Sequence, residues 1–89
     1  MILENLITQT DMIVPHIQQN AIDTNDLLLE ISEWDKAVCK ELSTTKQEER
    51  PMEKSEIKIL LHTNPEKLIS YINTRNQQLL DMRSLNTAL

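Results

Sequence analysis

The side chains here with most to offer chemistry are His16, His62, Cys39 and the neighbouring carboxylates Glu48 and Glu49. A zinc site needs three or four ligands converging at set intervals, and neither histidine has a second ligand at such an interval. A nucleophilic thiol needs a base or a positive pocket beside it, and no basic residue pattern surrounds Cys39. Glu48–Glu49 lies in a polar stretch, where solvation is the ordinary state of a carboxylate pair. Glycine is absent altogether. That excludes phosphate-cradling loops, dinucleotide fingerprints and the serine nucleophile elbow, which need Gly where backbone turns sharply or meets a ligand. The reading is a binding protein and not an enzyme, with no cofactor and no metal.

The elements that would position these residues follow from the spacing of the aliphatic side chains. Leu3, Leu6, Thr10, Ile13 and Ile17 advance by alternating threes and fours, widened by Ile7 and Val14, which predicts a helix over about 2–20. Pro15 removes a backbone donor inside it and crowds the carbonyl of Asp11, so a kink or restart is expected. Asp23, Thr24 and Asn25 are capping residues at the start of a second helix over about 24–46. This helix buries Leu27, Leu28, Ile31, Trp34, Val38 and Leu42, and sets Glu30, Glu33, Asp35, Lys36, Lys40 and Glu41 on its surface. Trp34 stands at helical steps from its apolar neighbours, so it is read as core before interface.

Residues 43–52 lose this periodicity and form a polar connection ending at Pro51. A third helical region over about 53–87 carries Ile57, Leu60, Leu61, Leu68, Tyr71, Ile72, Leu79, Met82, Leu85 and Leu89. Within it, Thr63 and Glu66 have capping-box spacing, and Asn64–Pro65 looks like a cap followed by a first-turn proline. The helix either breaks there or kinks and continues. The fold class is therefore all-α: one domain over 1–89, an antiparallel helical hairpin or three-helix bundle with a long C-terminal helix that Pro65 could bend. Hairpins of strands would lack their Gly-based turns.

Charge narrows the partners. The chain carries −5 overall, and residues 1–35 hold seven acidic side chains and no Lys or Arg. Nucleic acid binding draws its affinity from basic stripes, so none is expected. No apolar run approaches a membrane span, the longest being Leu27-Leu28-Leu29. The start Met1-Ile2-Leu3-Glu4 is the reverse of a secretory signal, and a lone cysteine forms no internal disulfide; a cytoplasmic protein is the simplest account. The stretch after Leu68 has a broad apolar stripe flanked by Asn73, Thr74, Asn76, Gln77 and Gln78, mediocre helix formers that leave the helix dependent on packing. A three-helix arrangement would leave part of that stripe for a partner polypeptide or a second copy.

Asn25-Asp26-Leu27-Leu28-Leu29 resembles the opening of the second helix of FliT-type flagellar export chaperones, and Asn64 followed by Leu68, Ile72, Arg75 and Leu79 is similar to their third-helix pattern of Asn, apolar pairs, Arg and Leu. The similarity covers most of the chain. It departs where the family has a tryptophan at the second-helix start, here Asn25, and where Pro65 interrupts the third helix. Longer members carry a further helix over the partner-binding surface, so the resemblance implies an open surface here. It also implies a cytosolic chaperone that binds an amphipathic helical segment of an export substrate such as the filament-cap protein. The export apparatus or a flagellar regulator would be further partners. Carried over by position, the contact residues would be Leu68, Tyr71, Ile72, Arg75, Leu79 and Met82. Two other readings stand beside it: a homo-oligomeric helical adaptor, and a small regulator that sequesters a transcription factor by helix packing.

Overall fold

The computed structural model describes residues 2–19, 23–44 and 50–88. They form four helices, α1 (Ile2–Gln19), α2 (Thr24–Ser43), α3 (Lys54–Thr63) and α4 (Pro65–Ala88), packed antiparallel with no strand among the described residues. The all-α expectation holds, with one refinement: the third helical region is two helices. None of the described helices is long and apolar enough to cross a membrane.

The first helix follows its sequence closely. Leu3, Leu6, Thr10, Ile13 and Ile17 are the residues it buries, and it runs unbroken through Pro15. Of the kink or restart expected at Pro15, the restart does not occur. Asp23 caps α2, its side chain accepting from the Asn25 N–H at 2.8 Å. That satisfies one of the orphan donors of the first turn. At the other end α2 stops at Ser43, short of the expected residue 46, with Thr44 in a turn; residues 45 and 46 lie outside the described set.

The break between α3 and α4 falls on Asn64, whose backbone is extended at φ −155° and ψ 72°. Its N–H still donates to the Leu60 carbonyl at 2.8 Å, closing α3, while its Oδ1 accepts from the Lys67 N–H at 3.2 Å, opening α4. Pro65 disfavours helical geometry at the residue before it, and at the first position of α4 its missing donor costs nothing. Thr63 does not form the expected capping box: its hydroxyl donates back to the Ile59 carbonyl at 2.7 Å, inside α3.

Helix α1 lies against α2 and α4, and α3 lies against the same two helices. One core runs through all four, from Leu3, Ile13 and Ile17 through Ile31, Trp34 and Leu42 to Ile57, Leu68, Ile72 and Leu79. The molecule is an elongated body of 41 × 22 × 19 Å. Trp34, 2% exposed, is core as expected, and its indole N–H donates to the Leu6 carbonyl at 3.0 Å. Burying a Trp generally requires such a partner, and this one ties α2 to α1.

Candidate partner-binding surface and the buried polar centre

Steps of four and three set Leu68, Ile72, Arg75, Leu79 and Met82 on a single stripe of α4. In the folded chain that stripe faces inward. Leu68, Ile72 and Leu79 are 0% exposed, Arg75 7% and Met82 8%, with Tyr71 packed against the same core from the side. The expectation of an open α4 stripe is therefore corrected: its own chain covers these positions, because the separate α3 and α1 enclose α4 from both sides. Leu85 alone among the aliphatics expected on that stripe stands out of it, 62% exposed; Leu89 lies outside the described residues.

What the stripe surrounds is polar. Asp35, read from the sequence as a surface residue, is 0% exposed and occupies the middle of the α2 seam. Its Oδ2 accepts from the Met52 N–H and from the Tyr71 hydroxyl, each at 2.7 Å. Its Oδ1 accepts from the Cys39 thiol at 3.9 Å and lies 3.6 Å from Arg75 Nε. That same Nε donates to the Tyr71 oxygen at 3.1 Å, and the guanidinium stands 5.1 Å from the centre of the Tyr71 ring. Arg75 Nη1 donates to Gln78 Oε1 at 3.3 Å, and Nη2 donates to the Arg50 carbonyl at 3.0 Å. A buried charge is tolerated when it is paired and hydrogen-bonded, and both conditions are met.

The consequence is geometric. Asp35 and Arg75 hold the main chain at Met52 and Arg50, so the segment entering α3 is fastened to α2 and α4 together. Burial first, then the hydrogen bond to Asp35, pushes the Tyr71 hydroxyl well above its ordinary value and keeps it neutral. Cys39 is buried as expected, 5% exposed, within this cluster.

The remaining candidates are not brought together. His16 lies on α1, its Nδ1 3.6 Å from Glu30 of α2, whereas His62 lies in the last turn of α3 on the rim of a cleft of about 350 Å³ lined by Ile17, Thr24, Leu27, Leu61 and Pro65. No three His, Cys, Asp or Glu side chains converge on a metal-sized site among the described residues. Glu48 and Glu49 lie outside the described residues.

The sequence reading missed Asp35, although a signal was there. Ile31, Asp35, Val38 and Leu42 step by four, three and four, just as Leu68, Ile72, Arg75 and Leu79 do. Opposite charges at seam positions of two different helices are candidates for a buried pair.

Helices α1 and α4 share the most extensive helix–helix contact in the fold, and along its outer edge some side chains stay partly exposed. Gln18 and Ile17 meet Pro65, Glu66 and Ile69 at one end, and Glu4 meets Arg83 at 3.5 Å at the other. Ile7 and Val14 of α1, and Ile69 and Leu80 of α4, turn toward this seam and stay partly exposed. Comparison with protein-family models, curated proteins and solved structures finds no match to the chain.

Proposed function

We propose that this chain is a non-catalytic helical binding protein that holds an amphipathic helical segment of another polypeptide and keeps it from aggregating, in the manner of a flagellar-type export chaperone. One observation carries the reading: the polar groups that converge in the fold, Asp35, Tyr71, Arg75 and Cys39, are bonded to one another inside the bundle. A fully buried carboxylate with its oxygens engaged is poorly placed to exchange protons with a substrate, so recognition falls to helix surfaces, where apolar seams bind other helices. The resemblance of the α2 opening and of the Asn64–Leu79 pattern to FliT-type chaperones names the class of partner.

The adaptor reading required the α4 stripe to be buried between copies, and that stripe lies against its own chain. The chaperone reading places its contacts on that same stripe and loses them equally; what supports it is the set of partly exposed aliphatics along α1 and α4, Ile7, Val14, Ile69 and Leu80.

The test is direct. The purified chain, mixed with the C-terminal amphipathic segment of a filament-cap protein, should suppress light scattering by that segment and co-elute with it as a discrete complex. Unchanged scattering at excess chaperone, with no complex on gel filtration, would overturn the reading.

A further inference from the structure

We propose that the seam between α1 and α4 is the docking groove, and that its occupant is an amphipathic helix of another protein carrying Lys or Arg along the flank that lies over α1. This rests on the binding reading above and adds the place, the register and the charge of the partner.

The floor alternates aliphatic with polar side chains, the half-buried Asn76 lying between Ile69 and Leu80 and Asp11 between Ile7 and Val14. Ile7 and Val14 lie two turns apart on the side of α1 turned to α4, and Ile69 and Leu80 lie three turns apart on the facing side of α4. The four are partly exposed in the folded chain, unlike Leu3, Ile13, Ile72 and Leu79 beneath them. From Glu4 to Gln18 the seam is about 21 Å long at 1.5 Å per residue, room for roughly four turns of a third helix. Two antiparallel helices with a shared apolar seam accept a third by the knob-and-hole geometry of coiled coils.

The charge of the walls selects the occupant. Glu4 and Asp11 are the charged residues that α1 presents on this side, and no Lys or Arg occurs anywhere in residues 1–35. His16 is on the opposite side of α1, facing Glu30. Behind α1, helix α2 adds Asp26, Glu30 and Glu33. The α4 wall offers Glu66 at one end and uncharged Asn73 and Asn76 along its length, and Arg83 is already engaged with Glu4 at the other end. A helix with cations over the α1 wall meets this field favourably; an acidic helix is repelled. A second copy would bring its own acid-only α1 beside the first, so like charges oppose self-docking.

Three labelled synthetic helices of about 18 residues, five turns, serve as probes. One carries a Leu seam flanked by Lys, one the same seam flanked by Glu, and one the Lys peptide with its sequence scrambled. By fluorescence anisotropy the Lys-flanked seam should bind about tenfold more tightly than either control, and should weaken as salt is raised. Asp11→Lys, an exposed change, should weaken it about fivefold. The double variant Val14→Ser/Leu80→Ser should lose binding while its circular dichroism matches the parent's.

Equal binding of the Lys and Glu peptides, or indifference to the groove variants with the fold kept, would overturn the proposal. So would self-association of the parent that Leu80→Ser abolishes, since a second copy would then be the occupant. If the groove variants still protect the cap-protein segment as the parent does, the groove is wrong and the chaperone reading stands. If the parent binds neither the peptides nor that segment, both fall.

Discussion

A carboxylate withdrawn from water destabilises a fold unless its charge is answered, and at Asp35 the answer comes from a backbone N–H, a phenol, a thiol and a guanidinium. Removing one member of such a buried pair strands the other, at a cost of about 3–5 kcal/mol. Asp35→Ala should therefore lower unfolding stability by about that much, whereas adding Arg75→Met should restore part of the loss by removing the stranded cation. Chemical denaturation of both single variants and the double variant measures the coupling. Additive losses would show that the two side chains act independently. Tyr71 gives a second test because it is the chain's one tyrosine. Its folded-state pKa is raised by burial and by Asp35, while the unfolded chain titrates near the ordinary value of about 10. The stability this group contributes is thus complete below about pH 10 and is lost as pH rises beyond it, because the unfolded chain gives up its proton first. Phenolate absorbance should lag behind that of the denatured chain, and Tyr71→Phe should flatten the alkaline fall in stability. At neutral pH the same change should cost about 2 kcal/mol, the worth of a hydrogen bond to a charged group.

At the scale of elements, amphipathic spacing made most of the architecture readable. The five residues α1 buries are those its three-and-four stepping selects, and the Asp23 cap stands where the cluster of capping residues placed it. The point left open was the junction at Asn64–Pro65, because a proline can either bend a helix or start one, and local sequence does not separate these outcomes. Tertiary packing decides between them: Ile57 on one side and Leu68 on the other both reach the same core, which they do only if the chain folds back at Asn64. That argument predicts how the junction fails. Asn64→Ala alone removes the bond to Lys67 N–H and should cost about 1 kcal/mol without changing the association state. Asn64→Ala/Pro65→Ala also removes the bar to helical geometry at residue 64. A straightened α3–α4 rod could then close its core only with a second chain, so swapped dimers should accumulate with concentration. Light scattering coupled to gel filtration detects them. A double variant as monomeric as the parent would mean that packing alone enforces the turn.

For the molecule as a whole, the candidate site was less legible than the fold. Spacing identifies which residues share a face, but it does not say whether that face meets its own chain or another, and here the α4 stripe is closed by α1, α2 and α3. The closing surface comes from the break at Asn64, which makes a fourth helix out of what reads as part of the third. Leu79 tests the closure. Were the stripe open, Leu79→Asp would disturb a partner and leave the helices intact. In the folded chain Leu79 is 0% exposed, with Leu68, Ile72 and Met82 along the same seam. An aspartate there has no designed cation; it would carry its charge into an aliphatic interior or force α4 off the bundle. Either outcome costs several kcal/mol, a large part of the margin of a domain this small. Circular dichroism should therefore show loss of cooperative unfolding and much of the helicity. Asp11→Lys, altering the α1 wall of the groove and no buried contact, should unfold like the parent. The contrast between these two variants separates a residue that holds the bundle together from one proposed to select its partner. If Leu79→Asp melted as cooperatively as the parent, α4 would have to pack less tightly than its burial requires.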